Sequence, residues 1–545
     1  MSPERKGVAS LPEAIDLSHH LSALARARSV SPLKNLARYY GRPGIISLAG
    51  GLPSPEYFPF DTVKADILSS DKFVSTPDSH GSSSGPLSWL LSLFSSESDS
   101  TIPISIPKYP STPTDLNLAT ALQYGVARGI PQLQSTIVAF TTRVFQPAYA
   151  DATVLLHVGN TDGWSKAVTT LCNPGEGVLV SDWTYPSALE TMYPQGVRAV
   201  PVRMDGQGMS ATGLREVLAG WDAAARGMPR PHVMYIVPVG QNPTGATMGA
   251  ERKQEIYNIC VEFDVIIVED DPYYFLQEGP YVHPTQRFST FKQTDMSDDQ
   301  YLASLAPSFL KFDYQGRVVR LDTFSKTIAP GSRAGWFTCN PIFAERLERA
   351  AETSSQGPSG FTQVLIGKVL QTWQDKGYIQ WLKGLGTEYT RRRNFFIDTL
   401  LAKFHLEVVP ADSPHNLFPG TVRYIASAKG AYLDEKRGSG AAARKPLFSF
   451  VPPTSGMFIW LQLHLEDHPK FKDVAKESLE MQLWVKLAEG GLLIGPGNMF
   501  AADKTASTAS YPGHFRISFS NADDADLVKA IDIFAAVITK FHQDV

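Results

Sequence analysis

Lys326 lies in the segment Leu321-Asp-Thr-Phe-Ser-Lys-Thr-Ile-Ala-Pro-Gly-Ser-Arg333-Ala-Gly-Trp336, close to the hydroxyls of Thr323 and Ser325 and to the guanidinium of Arg333. A lysine amine attacks a carbonyl group when partial burial and neighbouring cations lower its proton affinity. Thr323, Ser325 and the planar fork of Arg333 offer the donors that a phosphate dianion takes. One short segment therefore has the parts to hold a phosphorylated carbonyl compound and to react with it.

Three other segments carry polar groups at the ends of apolar runs. Gly240-Gln-Asn242-Pro-Thr-Gly245 is a turn by composition and follows Val233-Met-Tyr-Ile-Val-Pro238. Residues 251–263 read as a helix with Ile256, Ile259, Cys260 and Phe263 on one face, and 265–268 as a buried parallel strand. That strand runs into Glu269-Asp270-Asp271-Pro-Tyr273-Tyr274. Carboxylates at such an exit are costly unless they face a cation or a donor. Strand-like 152–158 feeds the loop Gly159-Asn160-Thr161-Asp162-Gly163 and a helical pattern over 164–171. Open backbone amides at a helix start attract phosphate, and Asn160 and Thr161 add side-chain donors.

Loops at strand ends are where ligands sit in open α/β sheets, so a sheet must position these groups. Alternating strand and helix patterns over about 121–345 predict a mostly parallel sheet covered by helices on both faces. Residues 1–120 read as an N-terminal arm, partly helical over 21–40, with a long irregular stretch. Residues 346–545 hold helical patterns at 362–376 and 389–404 and strand-like 457–461 and 515–519, which predicts a smaller α+β domain. The Ser/Pro-rich stretch 75–115, with an apolar island at Trp89-Leu-Leu-Ser-Leu-Phe94, and the Gly/Ala/basic stretch 411–445 read as surface loops.

In order along the chain, Ile45-Ile-Ser-Leu-Ala-Gly-Gly51-Leu-Pro, Ala121-Leu-Gln-Tyr124-Gly, Gly129-Ile-Pro-Gln-Leu133, the loop at 159–163, Gln241-Asn-Pro-Thr-Gly245, Glu269-Asp-Asp-Pro-Tyr273, Ser325-Lys326, Pro496-Gly-Asn-Met-Phe500 and Phe515-Arg516-Ile-Ser-Phe519 resemble the class I, fold-type I aminotransferases dependent on pyridoxal 5'-phosphate. Within them the match is to the branch of kynurenine/2-aminoadipate aminotransferases and fungal aromatic-amino-acid aminotransferases, from about residue 30 to the end. The resemblance implies a role for each matching position. Lys326 bonds to the cofactor aldehyde and then moves a proton at the substrate α-carbon. Asp270 pairs with the pyridinium nitrogen, Tyr273 and Asn242 bond the ring's phenolic oxygen, and Tyr185 stacks on its face. Asn160, Thr161, Thr323, Ser325 and Arg333 complete the cofactor site. Tyr124 reaches the phosphate in the neighbouring subunit, which implies a homodimer with shared active sites. Arg516 grips the substrate carboxylate, with Gly51, Asn242 and Lys34 in the substrate site. The segment Ser31-Pro-Leu-Lys34 has lysine where the mammalian kynurenine/aminoadipate enzymes have arginine. Ser332 stands where leucine is common, and a local packing effect without loss of cofactor is expected there.

The expected reaction moves the amino group of an aromatic amino acid, with kynurenine or 2-aminoadipate as further donors, to 2-oxoglutarate or another 2-oxo acid. A lyase on the same cofactor and a non-catalytic, aminotransferase-like ligand-binding domain are the alternatives. The 545 residues suffice for two domains, and 43% hydrophobic with 19% charged content is ordinary for a globular protein. A net charge of -4 argues against nucleic acid as a partner. Cys172, Cys260 and Cys339 sit in apolar surroundings without paired spacing, so neither a disulfide frame nor a metal site is expected. The absence of a long apolar run or an apolar leader makes a cytoplasmic protein without membrane contact the expectation. No Gly-x-Gly-x-x-Gly follows a first strand, which speaks against a dinucleotide-dependent oxidoreductase.

Overall fold

The computed structural model describes residues 11–30, 32, 39, 43–46, 48–49, 51–73, 101–112, 114–287, 293–410, 421–429, 444–466, 468, 470–471, 478–503 and 513–543. Lys34, the island at 89–94 and most of the two read loops fall outside them.

A seven-stranded sheet forms the centre. Its strands are β1 (Thr153–His157), β2 (Gly177–Ser181), β3 (Arg198–Val202), β4 (Val233–Ile236), β5 (Ile266–Asp270), β6 (Val318–Thr323) and β7 (Gly335–Cys339), in the spatial order β1-β7-β6-β5-β4-β2-β3. Only β7 runs against the rest, pairing antiparallel with β6 and β1. Side chains alternate between faces, so each strand feeds two cores. Leu179, Met234, Ile267 and Val318 join one core with Ile137 and Phe140 of the helix Pro131–Phe145. Val178, Val233, Ile266, Val268 and Val319 join the other with Trp164 and Leu171 of the helix Asn160–Leu171 and Phe343 of the helix Pro341–Glu352. Helices cover both faces, as the sequence predicts.

A second, antiparallel sheet follows: β8 (Phe404–Val409), β9 (Arg423–Ala428), β10 (Pro446–Phe450), β11 (Phe458–Leu463), β12 (Gly495–Pro496) and β13 (His514–Ser518), ordered β8-β9-β10-β11-β13-β12. Its core takes Leu483 and Leu487 of the helix Leu479–Glu489 and Ile531, Phe534 and Ile538 of the helix Asp524–Phe541. The two sheets meet at Gly240 and Gly456, where a Cβ on Gly240 would lie 2.7 Å from the Gly456 Cα and one on Gly456 2.9 Å from the Gly240 Cα. Both glycines have positive φ (57° and 85°), a conformation that suits glycine.

Several boundaries shift. The loop read at 159–163 is helical from Asn160 on: Gly159 (φ 87°) caps the helix, and Asp162 in its first turn accepts the Val158 amide. The patterns at 362–376 and 389–404 lie in one run, Gly360–Lys403, broken at Gln374 (φ 56°). Both stretches read as loops contain strand. Thr101–Pro107 pairs antiparallel with Thr62–Leu68, burying Ile104 and Ile106, and β9 lies inside 411–445 with Arg423, Tyr424 and Ala426 buried. Composition averaged over such stretches hid the short alternating segments within them. Among the described residues no helix is long and apolar enough to cross a membrane.

Candidate active site

Five of the seven central strands end, at their carboxyl edge, in a segment that lines one cavity of about 430 Å³. Asn160 and Thr161 follow β1, Tyr185 follows β2, Asn242 follows β4, Asp270 ends β5 with Tyr273 beyond it, and Thr323 ends β6 with Ser325 and Lys326 beyond it. Arg333 enters just before β7, and Met457, Phe458 and Arg516 close the cavity from the second sheet.

At the floor, Asp270 is buried with neutral partners. Tyr235 donates its hydroxyl to Oδ2 (2.6 Å), and Asn160 donates through Nδ2 to Oδ1 (2.6 Å) and to the Leu321 carbonyl (3.1 Å). Burial pushes the Asp270 carboxyl up, while those two donors and the charge of Arg320 oppose the shift. Tyr235 is not among the residues the sequence points to. Its signal was a phenol in the middle of an apolar run, whose hydroxyl must find a partner indoors.

At one end the donors gather. Thr323 Oγ1 and Ser325 Oγ lie 2.8 Å apart, and Arg333 donates to Ser325 Oγ (3.4 Å) and to the carbonyls of Pro330 (2.9 Å) and Val158 (3.2 Å). A Cβ on Gly159 would lie 2.3 Å from Arg333 Nη2, so glycine lets the arginine press against the start of the helix Asn160–Leu171. Half-buried Ser332, two residues after Pro330, donates its hydroxyl to the Ala329 carbonyl (2.7 Å) and leaves the cradle intact.

Lys326 is half-buried, with Nζ 5.9 Å from the Tyr273 ring centre. Burial, then the nearby charge of Arg516, lowers its proton affinity. Burial, then Asp270, raises the Tyr273 phenol well above its ordinary value, against the pull of Arg516. Opposite, Arg516 donates from Nη1 to Asn242 Oδ1 (2.9 Å), with its guanidinium 4.5 Å from the Phe458 ring centre and 4.8 Å from that of Phe500. Its Nε is buried without a partner, leaving donor capacity in the fork. The peptide bond from Asn242 to Pro243 is cis.

Two expected residues are not in the cavity. Tyr124 is 65% exposed and lines none of it, and Gly51 is exposed with open space around its Cα. Lys34 lies outside the described residues.

A cationic ring with a phosphate and an aldehyde fits this arrangement. The buried carboxylate lies at one side, the amine at another, and the hydroxyl and guanidinium cradle at a helix start. Asn160 Oδ1 is buried with no hydrogen-bond partner in the protein, an orphaned acceptor on the side chain that holds Asp270.

The fold and this pocket are those of a transferase that handles amino groups, and the chain belongs to the class I and II aminotransferases, whose family profile matches residues 115–424. It is 34% identical over 530 residues to an aromatic amino acid aminotransferase of Schizosaccharomyces pombe, covering 96% of this chain and 98% of that protein. It is 31% identical to the L-tyrosine:2-oxoglutarate aminotransferase of Tapinella panuoides, covering 97% of each. Its fold is similar to the crystal structure of the aminotransferase Aro8 from Candida albicans, with a TM-score of 0.80, 32% identity, and 98% and 100% of the two chains covered.

Proposed function

We propose that this protein is a pyridoxal-phosphate-dependent aminotransferase that takes the amino group of tyrosine, phenylalanine or tryptophan and passes it to 2-oxoglutarate or a similar 2-oxo acid. The observation that carries this is the placement of Lys326, Asp270 and Arg516 around one cavity, with Asp270 held only by neutral hydrogen-bond donors. Such an acid keeps its charge for a ring cation. When bound, the cofactor supplies an electron sink for the pair left at the substrate α-carbon.

Lys326 Nζ, its proton affinity lowered by burial and by Arg516, takes that α-proton and returns a proton to the other side of the system. Arg516 receives the substrate carboxylate through the unused part of its fork, positioned by Asn242. Thr161, Thr323, Ser325 and Arg333 anchor the phosphate, and Tyr185 and Tyr273 confine the ring. Phe458, Phe500 and Met457 give the substrate side an apolar wall suited to an aromatic side chain. The names of the relatives favour the same donors.

The active form is a homodimer. Tyr124 is exposed and lines none of its own cavity, and Ile46 (89% exposed) and Leu48 (92%) of the N-terminal arm lie bare, as surfaces do that a second copy covers. The cofactor-holding unit spans about 121–345, and the unit bearing Arg516 spans 346–545. Three free, buried cysteines suit the reducing cytoplasm.

The test is a half-reaction. Tyrosine added to the cofactor-loaded protein changes the cofactor's absorbance, and 2-oxoglutarate restores it. No change with any aromatic amino acid, or a change that 2-oxo acids leave in place, defeats the proposal.

A further inference from the structure

Far from the cavity, the short helix Ser18–His20 lays two histidines against the end of the helix Ala250–Glu262. His19 Nε2 is 2.8 Å from Asp264 Oδ2, and buried His20 places Nε2 3.1 Å from Asp264 Oδ1. Behind them a chain of contacts continues: His20 Nδ1 to His232 Nδ1 (2.9 Å), and His232 Nε2 to Glu176 Oε2 (3.3 Å). Arg317 Nη1 also reaches Asp264 Oδ1 (2.7 Å).

A proton count shows what this arrangement lacks. The three contacts from Asp264 through His20 and His232 to Glu176 each need one proton, and ionised carboxylates bring none. Glu176 accepts from the Asn173 amide and side chain, and Asp264 from Arg317, as ionised carboxylates do. Two neutral imidazoles carry two protons, so one contact sets lone pair against lone pair. What is missing is one positive charge, a third proton or a bound cation; the Nε2 atoms of both histidines and Asp264 Oδ2 already converge on one point, which favours the cation.

We propose that His19, His20 and Asp264 bind one divalent cation of the zinc, cobalt or nickel kind, with His232 and Glu176 behind it, and that the ion pins the N-terminal segment to the main fold. The ion takes the Nε2 lone pairs of both histidines and Asp264 Oδ2. His20 then donates from Nδ1 to His232, and His232 donates from Nε2 to Glu176, so every contact is satisfied with neutral rings. A ligating histidine backed by an acceptor chain that ends in a carboxylate is the usual outer arrangement of such sites. The ligand atoms lie within 4.8 Å of one another, so small shifts bring them to roughly 2.0–2.2 Å from one ion, with water as the fourth ligand. Arg317 occupies the other carboxylate oxygen. The exposed flank of His19 gives the ion its entry.

The experiment uses the full chain loaded with cofactor, free of affinity histidines and stripped with EDTA, titrated with zinc against a chromophoric chelator. The wild type takes up one equivalent. His19→Ala, an exposed change that leaves the metal-free melting temperature in place, and Asp264→Asn each bind at least about tenfold more weakly, and His232→Ala also weakens binding about tenfold. Zinc slows tryptic cleavage at Arg26 and Arg28 in the wild type and not in His19→Ala. The absence of stoichiometric uptake by the wild type, or unchanged uptake in both His19→Ala and Asp264→Asn, overturns the site. Wild-type affinity in His232→Ala overturns the backing chain, and cleavage indifferent to zinc overturns the pin.

Discussion

Asp270 and its two neighbours occupy the same strand end and live in opposite electrostatic worlds. Glu269 and Asp271 face away from the cavity, where fully buried Arg320 reaches both at 3.1 Å and clamps Asp322 with two donors at 2.8 and 2.9 Å. Ser308 and the Phe309 amide complete Glu269, and the rings of Phe145 and Tyr274 sandwich the guanidinium at 3.9 and 4.8 Å. On the cavity side Asp270 has a phenol and an amide as its hydrogen-bond partners. The alternation of strand side chains separates the two environments within three residues. The acids on the far side spend their charge on a resident cation. The acid in the cavity keeps its charge available, which is what a ligand's cation requires.

Substitutions can break or sharpen that contrast. On the cavity side the largest loss is Lys326→Ala, with turnover down by several orders of magnitude, on the order of 10⁴ or more, while the cofactor still binds noncovalently; steady-state rates and absorbance after desalting check both halves. Arg320→Met leaves buried carboxylates unneutralised and lowers stability by about 3–5 kcal/mol, read as a shift of the urea midpoint. A smaller shift there would mean that the acids share their charge with Lys253 or water. Asp270→Asn leaves stability nearly unchanged and slows turnover by roughly 10²–10³-fold, the scale of one lost electrostatic partner. An unchanged rate would move the ring's partner elsewhere. Tyr235→Phe removes one donor from Asp270 and costs about 1 kcal/mol, close to a fivefold rate effect, without altering the Arg320 cluster. The far side also has its own pH response. Burial raises Asp271 to about 6 and Asp322 to about 7. Raised carboxyl values mean that the folded state holds protons the unfolded chain releases near pH 4, so their stabilising contribution is lost as pH climbs from about 4 to 7. Asp322→Asn flattens that slope in denaturation curves taken across the range.

How much of this was legible beforehand depends on the residue. Lys326, Asp270, Asn242 and Arg333 stand out in the sequence as costly or turn-bound groups beside apolar runs, Arg516 through the family resemblance alone, and the structure brings all five to one cavity. Acids at the exit of 265–268 need a cation or a donor, and here they have both. Which acid has which depends on the face each side chain takes and on Arg320, which lies on the neighbouring strand β6. Tyr235 hid inside a hydrophobic run, and β9 hid inside a stretch judged by average composition. Tyr124 and Gly51 lie off the cavity, so the fold of one chain gives them no part in it.

The bare contact of Gly240 with Gly456 has a consequence for how such a pocket can diversify. Main chain touches main chain there, so the spacing between the two walls is set by atoms that no side-chain substitution alters. Phe458, Met457 or Tyr185 can change size and polarity while the two sheets keep their spacing at that contact, and selectivity is free to drift over an unmoving frame.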